Sequence, residues 1–428
     1  MAAAAASEAA AAETARPALV PLHRQPLFVR YWTARTVSMF GDQVSALAIP
    51  LAAVLVLHAS AFEVGLLTAM AWLPELLFAL PAGVWVDSRG QRRRVMVVTD
   101  LLRAAVLLTL PLAWWLAELT IWHLLAVTFT VGALTVFFDL SGTNFFVALV
   151  QRRQYVEAQS RLSTSRSTSF IAGPSIAGFL VQVLGAPMAL VADACSFVVS
   201  ALLLRKTDVA EPHVEPATEP AFRRLGAAFR HLFGDKLLRA SLFCTATINF
   251  FNFVLLAIFV LFASRTLGLG AGTIGIVLGV GAFGGLFGAL VAPRIGRALG
   301  TGRAVMAGAV LFPGALALIP LAHGSHALSG GMLLTAEFFA SVGVMVFDIN
   351  QNALLALHIP DALRSRIVAA YRFVNYGTRP IGALLGGILG STIGIRETLW
   401  FAVAGGMVGV LFLVGSPMVH VRQEDYEQ

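Results

Sequence analysis

The stretch Gly83-Val-Trp-Val-Asp87-Ser-Arg-Gly90-Gln-Arg92-Arg93-Arg94 joins two long apolar segments and sets the organisation of the whole chain. The apolar segments on either side cover residues 63–86 and 95–116. Each is long enough to cross the hydrocarbon core of a membrane, which takes about 20 apolar residues in a helix. A short basic turn between two such segments predicts a helical hairpin in a membrane, with its turn on the side where positive charge accumulates.

The composition agrees with a membrane protein. Of 428 residues, 58% are hydrophobic and 12% are charged, and the mean hydropathy is +0.80. Soluble domains carry about a quarter charged residues, which argues against a large soluble enzyme. Cys195 and Cys244 each lie in an apolar segment, so we expect neither a disulfide framework nor a metal cluster. We attribute the net charge of +7 to basic loops and expect no nucleic-acid partner.

Twelve apolar segments of this kind occur along the chain. They lie near residues 29–57, 63–86, 95–116, 121–149, 163–184, 187–205, 239–263, 273–293, 303–322, 328–357, 368–390 and 398–417. They predict an all-α membrane protein with twelve transmembrane helices in two six-helix bundles.

The distribution of basic residues predicts the orientation of the chain. Arginine and lysine fill the loops before span 1 and after spans 2, 4, 6, 8 and 10, whereas the alternate loops hold only Arg265 and Arg396. Because cytoplasmic loops carry the excess of basic residues, we expect both termini in the cytoplasm. The high content of Ala, Gly and Arg hints at a bacterial source, and we expect a multi-pass protein of the bacterial inner membrane.

Changes of composition divide the chain into five parts. We expect an Ala-rich cytoplasmic tail (1–28), a first six-helix bundle (29–205), a cytoplasmic linker (206–237), a second six-helix bundle (238–417) and a short cytoplasmic tail (418–428). In the linker, Phe222, Leu225, Phe229 and Leu232 recur at helical spacing. This pattern is typical of an amphipathic helix on the inner leaflet, although a solvated linker helix fits equally well.

The two halves resemble each other at a nearly constant offset. Gly90–Met96 aligns with Gly300–Met306, Phe138-Asp139-Leu140 with Phe347-Asp348-Ile349, and Gly173-Pro174 with Arg379-Pro380. Two related halves with a substrate site between them are typical of secondary transporters. The repeat therefore predicts pseudo-symmetric bundles that rock about a central site.

The residues quoted at the outset resemble motif A of the major facilitator superfamily, and Gly173-Pro174-Ser-Ile-Ala-Gly178 resembles the end of its motif C, which is associated with export. Other fragments resemble the subfamily that contains enterobactin-type siderophore exporters and macrolide efflux pumps. They are Ser38–Asp42, Asp100–Ala104, Gly185–Pro187, Asp193–Phe197, Tyr371-Arg372 and Gly377–Gly387. The resemblance covers residues 30–417 and implies the twelve-helix fold of a secondary transporter.

The motif A resemblance implies a gate at the inner end of the N-terminal bundle, formed by Gly83, Asp87, Gly90, Arg92 and Arg93. We expect Gly83 to allow close helix packing, Gly90 to allow a tight turn, and Asp87 to pair with arginines or a helix N-terminus. The corresponding stretch of the second half lacks the acid. The motif C resemblance implies that Gly173, Pro174 and Gly178 bend span 5 and seal the contact between the halves, although plain helix packing is nearly as good an interpretation.

Charged and amide groups inside spans are candidate site residues, because they are expensive in a membrane unless they face a cavity or a partner. Asp42 and Glu75 are candidates for binding a proton or a cationic substrate. The alternatives are an ion pair between Asp42 and Arg35, and a local pairing role for Glu75. Further cavity candidates are Arg379, Asn249 and Asn252, whereas the repeat-related Asp139 and Asp348 predict a symmetric role in packing or gating.

Together these features predict a monomeric exporter of an amphiphilic drug or siderophore, driven by proton antiport through alternating access. It would contact small-molecule substrate, protons and membrane lipids and need no cofactor. No common catalytic or nucleotide-binding pattern occurs, so we expect no enzyme activity. A basic cavity of Arg35, Arg103 and Arg379 would instead suit a lysophospholipid flippase or an uncoupled facilitator or importer. A transport-inactive receptor or scaffold is the remaining alternative.

Overall fold

A computed structural model describes residues 20–209, 229–359 and 361–420, except the side chains of 80, 87, 89, 361–362, 365–366 and 419–420. Within these ranges the chain forms twelve long helices and no strand. The first six are α1 (Pro26–Leu55), α2 (Ala61–Arg89), α3 (Arg92–Trp115), α4 (Ile121–Leu149), α5 (Tyr155–Leu184) and α6 (Ala186–Arg205). The second six are α7 (Lys236–Leu261), α8 (Ala271–Leu299), α9 (Thr301–Leu316), α10 (His326–His358), α11 (Asp361–Thr392) and α12 (Ile395–Val414).

The helices confirm the predicted all-α membrane fold. In the described part, eleven are long and apolar enough to cross a membrane, and α11, with 32 residues, is the twelfth long helix. Successive helices alternate in direction, so one end of the bundle holds the start of α1 and the end of α12. We name this end the terminus face and the other end the opposite face.

Local sequence explains where several helices begin and end. At the start of α2, the Ser60 hydroxyl accepts a hydrogen bond from the Glu63 amide (3.3 Å), and the Glu63 carboxylate accepts one from the Ser60 amide (2.7 Å). Gly90 ends α2 with φ of +62°, and its repeat partner Gly300 ends α8 with φ of +85°. Both glycines thus have a positive φ, which favours glycine, and Gly90 has the left-handed backbone that the predicted turn requires. The expectation for Gly83 is wrong, because a Cβ atom there would meet open space.

The packing pattern is the same in both halves, as the sequence repeat predicts. In the first half α1 packs against α5 and α6, and α4 packs against α2 and α3. In the second half α7 packs against α11 and α12, and α10 packs against α8 and α9. The two halves meet through α2 with α11 and through α5 with α8, which are equivalent pairs under the repeat.

The close contacts between the halves lie toward the opposite face. A Cβ atom on Gly65 would overlap Gly387 of α11, and one on Gly275 of α8 would overlap the Pro174 carbonyl. The Arg265 guanidinium also donates to the Val54 carbonyl across the halves (3.1 Å). These residues fall in the opposite-face part of their helices, where glycine allows the backbones to approach closely.

The buried apolar side chains show the same division. One large core at the opposite face contains residues from both halves, for example Leu51, Phe197, Val254 and Leu333. Toward the terminus face each half has a core of its own, around Phe138 in the first half and Phe347 in the second. The halves are therefore joined at the opposite face and packed separately at the terminus face.

Part of the predicted linker helix belongs to the second half. Residues 229–234 are helical, and Leu232 is fully buried against Leu237 and Leu238. Phe222 and Leu225 lie outside the described residues. The described end of this helix thus packs on protein through Leu232.

Candidate functional site

Arg103 of α3 is the centre of a charged cluster in the first half. Its side chain is 0% exposed, and its Nη1 atom lies 3.6 Å from Oδ1 of Asp42 on α1. Its Nη2 atom forms an ion pair with Asp100, one turn earlier on α3. Nη1 also donates to the Thr135 hydroxyl of α4 (3.2 Å). One arginine thus connects three helices and is shared by two carboxylates.

Two aromatic rings enclose the Arg103 guanidinium. Its Cζ atom lies 4.4 Å from the ring centre of Phe138 and 4.1 Å from that of Phe197. A desolvated cation over an aromatic face gains electrostatic stabilisation, on the order of 2 kcal/mol. The rings therefore hold the arginine in place independently of either carboxylate.

The predicted alternative of an Asp42–Arg35 ion pair is wrong. The Nη1 atom of Arg35 instead lies 2.9 Å from Oδ1 of Asp139 on α4. Arg35 and Asp42 lie two turns apart on α1, and each of the two side chains contacts a different helix. The repeat-related acid Asp139 is accordingly paired, and Asp42 depends on Arg103.

Asp193 of α6 is the third carboxylate of the cluster. Its two oxygens accept hydrogen bonds from the Ser45 hydroxyl and the Ser196 hydroxyl (3.0 Å for the latter). Gly41 makes room for this arrangement, because a Cβ atom there would overlap Asp193 and Ser196. Asp193 is 0% exposed, so both of its carboxylate oxygens are bonded inside the protein.

The cluster contains more carboxylates than cations, and only one of these carboxylates reaches solvent. Asp42, Asp100 and Asp193 surround the single Arg103, so two negative charges are uncompensated when all three are ionised. Asp100 and Asp193 are 0% exposed, whereas the Asp42 side chain is 42% exposed. Asp42 is therefore the carboxylate through which the cluster can exchange a proton with its surroundings.

The second half has a polar cluster without charges. Its centre is the Tyr371 hydroxyl of α11, which lies 2.6 Å from the Thr245 hydroxyl and 3.2 Å from the Ser241 hydroxyl, both on α7. The amide of Gln351 on α10 donates to Ser241 (2.5 Å), Thr245 (2.9 Å) and Tyr371 (2.9 Å). Three helices are again connected, here by neutral hydrogen bonds.

Two predicted asparagines differ in their contacts. The Asn249 amide donates to the Asn375 side chain on α11 (3.2 Å) and to the Thr245 carbonyl (3.2 Å). Asn252 is partly exposed and makes no hydrogen bond within the described ranges. Asn249 thus extends the neutral cluster, and Asn252 keeps a side-chain amide available to a ligand.

Arg379 and Glu75 lie where α11 meets α2. The Arg379 guanidinium lies over three rings, Trp72 (4.4 Å), Tyr376 (4.2 Å) and Phe253 (5.3 Å). Its Nε atom is buried without a hydrogen-bond partner, and no ion pair within 4.0 Å forms between it and a described carboxylate. Glu75 is close enough for electrostatic interaction with Arg379. The pair thus places one acid and one cation on opposite halves.

The repeat-related acids are not equivalent in their contacts. Asp139 pairs with Arg35, whereas Asp348 of α10 has no hydrogen bond or ion pair with any residue that the structure describes. Glu337, also on α10, likewise has none with any described residue. The sequence repeat therefore preserves the position of the acid and not its partner.

The motif residues lie partly outside the described atoms. The Asp87 side chain is one of the undescribed ones, so the proposed latch stays a prediction. Arg92 is buried, and Arg93 pairs with Asp208 after α6 (2.8 Å).

The motif C-like residues do contact both halves. A Cβ atom on Gly173 would approach Gln43 of α1, and one on Gly178 would overlap the Ala271 carbonyl of α8. The Ser175 hydroxyl also donates to the Gly275 carbonyl (3.4 Å). Gly178 and Pro174 therefore lie in the contact between the halves, and Gly173 packs within the first half; their role in sealing this contact stays a prediction.

Sequence reasoning missed the central role of Arg103 and all four members of the neutral cluster as site residues. A signal was present, because Ser241, Thr245 and Asn249 recur every four residues on α7. Tyr371, Asn375 and Arg379 do the same on α11. Residues four apart lie on the same face of a helix. The sequence therefore predicts one polar stripe on α7 and one on α11.

Comparison with known proteins yields a family match and two groups of curated relatives. The family model described as Major Facilitator Superfamily matches residues 31–382. The "Multidrug efflux pump Tap" of Mycobacterium tuberculosis is 25% identical over 394 residues, with 88% of this chain and 90% of that protein covered. The "Macrolide efflux protein A" of Streptococcus pyogenes is 26% identical over 156 residues, with 36% and 38% covered.

Solved structures show the same fold. A bacterial homologue of the iron transporter ferroportin in its inward-facing state matches with a TM-score of 0.72 at 18% identity, with 92% of this chain and 99% of that chain covered. In its outward-facing state the TM-score is 0.57 at 19% identity, with 91% and 98% covered. Both structures are similar to this chain in fold.

Proposed function

The chain belongs to the Major Facilitator Superfamily, and on that premise we propose that it exports amphiphilic small molecules in exchange for protons. It is a multi-pass membrane transporter and not an enzyme. Both halves of the candidate site lie in one chain, so a monomer suffices. The names of its relatives, a multidrug pump and a macrolide efflux protein, support export as the direction.

We place the terminus face in the cytoplasm of a bacterial inner membrane. The loops at this face carry nearly all basic residues of the loops, and such loops stay on the cytoplasmic side. The halves are packed separately toward this face, so the space between them opens to the cytoplasm. In this state the site accepts substrate from inside the cell.

The observation that carries the proposal is the geometry of Asp42. Its side chain is 42% exposed and contacts the fully buried Arg103, which Asp100 already neutralises. Protonation of Asp42 therefore removes a surplus negative charge without leaving a buried cation unpaired. A cationic substrate removes the same surplus, so proton and substrate compete for one site, which is the condition for antiport.

Residues where α2 of the first half meets the second half suit a large, partly apolar substrate. The aromatic rings of Trp72, Phe253 and Tyr376 form an apolar patch around Arg379. Asn252 offers an amide that no described residue occupies. Apolar surface with a few polar groups is typical of small-molecule sites.

The test is transport by the purified protein in liposomes with an imposed pH gradient. Uptake of a labelled cationic drug, a macrolide, a siderophore and a lysophospholipid is measured for wild type, Asp42→Asn and Glu75→Gln. We expect gradient-driven uptake of a drug by wild type, and uptake at the level of empty liposomes for Asp42→Asn. Binding of the cationic drug to Asp42→Asn in detergent should weaken, because asparagine lacks the negative charge for which drug and proton compete.

Glu118→Gln is the matched control, since Glu118 is an exposed acid in a loop at the opposite face. It should transport like wild type. Proton coupling through Asp42 would be refuted by either of two outcomes. One is uptake by wild type that does not depend on the pH gradient, and the other is an Asp42→Asn protein that transports as well as wild type.

A second candidate, lysophospholipid transport, is favoured by Arg379. Its guanidinium has no described carboxylate within ion-pair distance and could receive a phosphate group. If this function holds, Arg379→Gln abolishes lysophospholipid uptake and leaves uptake of a cationic drug intact. Loss of the drug uptake alone would assign Arg379 to the export function instead.

A further inference from the structure

A groove on the outer surface of the first half is separate from the space between the halves. α2 and α3 both pack against α4, which forms the floor of the groove between them. The groove has a volume of about 700 Å³. Its walls include Phe78 and Trp85 from α2 and Val98 and Leu102 from α3, and Phe137 of α4 forms part of its floor. Its lining includes no described residue of the second half.

The lining of the groove is suited to a hydrocarbon chain. Trp85, Val98 and Leu102 are 37%, 45% and 45% exposed, so their apolar surface is not covered by protein. On a helix bundle in a membrane, such surface contacts lipid. The rings of Trp85 and Phe137 pack edge to face with centres 5.5 Å apart, so α2 and α4 are in contact along this side of the groove.

The length of the groove matches one leaflet of a bilayer. Its lining extends from Gln91, the residue before α3, to Leu102 on α3. At 1.5 Å per residue this is roughly 16 Å, about half the 30 Å thickness of a hydrocarbon core. The groove starts at the first turn of α3, at the terminus face, and ends near the middle of the membrane.

An arginine side chain provides a positive charge at the terminus-face end of the groove. Arg94 lines this end, its side chain is exposed, and it has no hydrogen-bond or ion-pair partner among the residues the structure describes. Arginine binds phosphate oxygens through charge-assisted hydrogen bonds. Since Arg94 lies at the depth of the lipid headgroups, its positive charge favours an anionic headgroup over a neutral one.

We propose that the groove binds one anionic phospholipid of the leaflet at the terminus face. An acyl chain lies between α2 and α3, and the phosphate contacts Arg94. The occupant is a lipid and not a free phosphate, because most of the lining is apolar and only Arg94 and Gln91 lie at the mouth. The site is independent of the proposed transport function.

Native mass spectrometry of the full chain, titrated with phosphatidylglycerol or phosphatidylcholine of identical acyl chains, tests the proposal. We expect tighter retention of phosphatidylglycerol. Arg94→Gln should weaken its binding on the order of tenfold, the value of one hydrogen bond to a charged group. Arg153→Gln, which removes another exposed arginine of the terminus face, should leave binding unchanged.

Val98→Trp fills the groove and should weaken binding of both lipids, whereas Val84→Trp, at an exposed α2 position outside the groove, should not. Equal retention of the two lipids by wild type, or unchanged binding by Arg94→Gln, overturns the proposal. So does displacement by inorganic phosphate, which would indicate a simple anion site. Arg94 is exposed, so its variant keeps the test decisive even if Val98→Trp does not fold.

Discussion

The two polar clusters, one in each half, differ in chemistry and join helices that are only partly equivalent under the repeat. The first contains Arg103 with the carboxylates Asp42, Asp100 and Asp193, and the second contains hydroxyl and amide groups around Tyr371. Each joins three helices of its half. The repeat thus conserves the helical frame and leaves the chemistry of each half free to differ.

This difference separates two tasks. A neutral network has the same charge at every pH, so the second half offers a fixed set of donors and acceptors. A cluster with surplus carboxylates changes its charge when a proton binds, so the first half can respond to a pH gradient. Buried charges are costly unless paired, which predicts that the charged cluster is the more sensitive of the two to substitution.

The largest effect is expected for Arg103→Ala. The substitution leaves Asp100 buried without a cation, and removal of one partner of a buried ion pair costs about 3 to 5 kcal/mol. We expect a strong fall in the melting temperature of the detergent-solubilised protein. Arg103→Lys keeps the charge and should recover part of the stability. An Arg103→Ala protein that melts at the wild-type temperature would show that neither the ion pairs nor the ring contacts of Arg103 stabilise the fold.

Gly41→Ala should have the next largest effect, because the added Cβ atom overlaps Asp193 and Ser196. Overpacking of this kind costs about 1 to 3 kcal/mol. Gly83→Ala is the matched control, since its Cβ atom meets open space and alanine is the better helix former. Thermal melting should therefore separate the two variants in opposite directions. Equal melting of Gly41→Ala and wild type would contradict close packing around Asp193.

In the second half, Gln351→Leu should have a smaller effect than Arg103→Ala. It removes the amide that donates to Ser241, Thr245 and Tyr371, and unsatisfied polar groups cost about 1 to 3 kcal/mol. Because no charge is involved, the difference in melting temperature from wild type should not change with pH or salt. A marked pH dependence of this difference would show that the second cluster also titrates.

The smallest effect is expected at the terminus face, where Asp235 caps α7 and pairs with His358 of α10 (2.8 Å). Although burial alone would raise it, hydrogen bonds from His358 and the Leu238 and Leu237 amides hold the pKa of Asp235 below its usual value. This stabilisation is present above the unfolded-state pKa of about 3.9 and is lost as pH falls through the lower folded-state value.

Asp235→Asn keeps a capping side chain and removes this dependence. The drop in melting temperature between pH 6 and pH 3, measured for both proteins in the same buffers, should be smaller for the variant (the buffer pH values are chosen to lie on either side of about 3.9). Identical drops would show that the Asp235–His358 contact adds no pH-dependent stability.

The fold was readable from sequence because apolar segments of membrane length have few alternatives. Helix ends were less readable. The α5 helix begins at Tyr155 and not near 163, since its first turns are polar and are stabilised by a Glu157–Arg161 ion pair (3.0 Å) outside the apolar segment. Hydropathy detects the part of a helix that lies in the hydrocarbon core. It does not detect polar turns that extend the helix beyond the core.

The candidate site was only partly readable. Asp42 is conspicuous because a carboxylate in an apolar helix is rare, but its partner depends on how α1 and α3 pack, which spacing along α1 does not reveal. The hydroxyl groups of Thr245 and Tyr371 hardly lower the hydropathy of their helices. They become recognisable only when the polar positions are read at a helical period.

The single apolar core at one face and the two separate cores at the other give the molecule a wedge-like outline. Closure of the wide end would reduce the area that the protein occupies in one leaflet more than in the other. Whatever interacts differently with two states shifts their balance. We therefore expect lateral pressure in that leaflet to shift the balance between the two states, with compression of the wide end favouring the closed one.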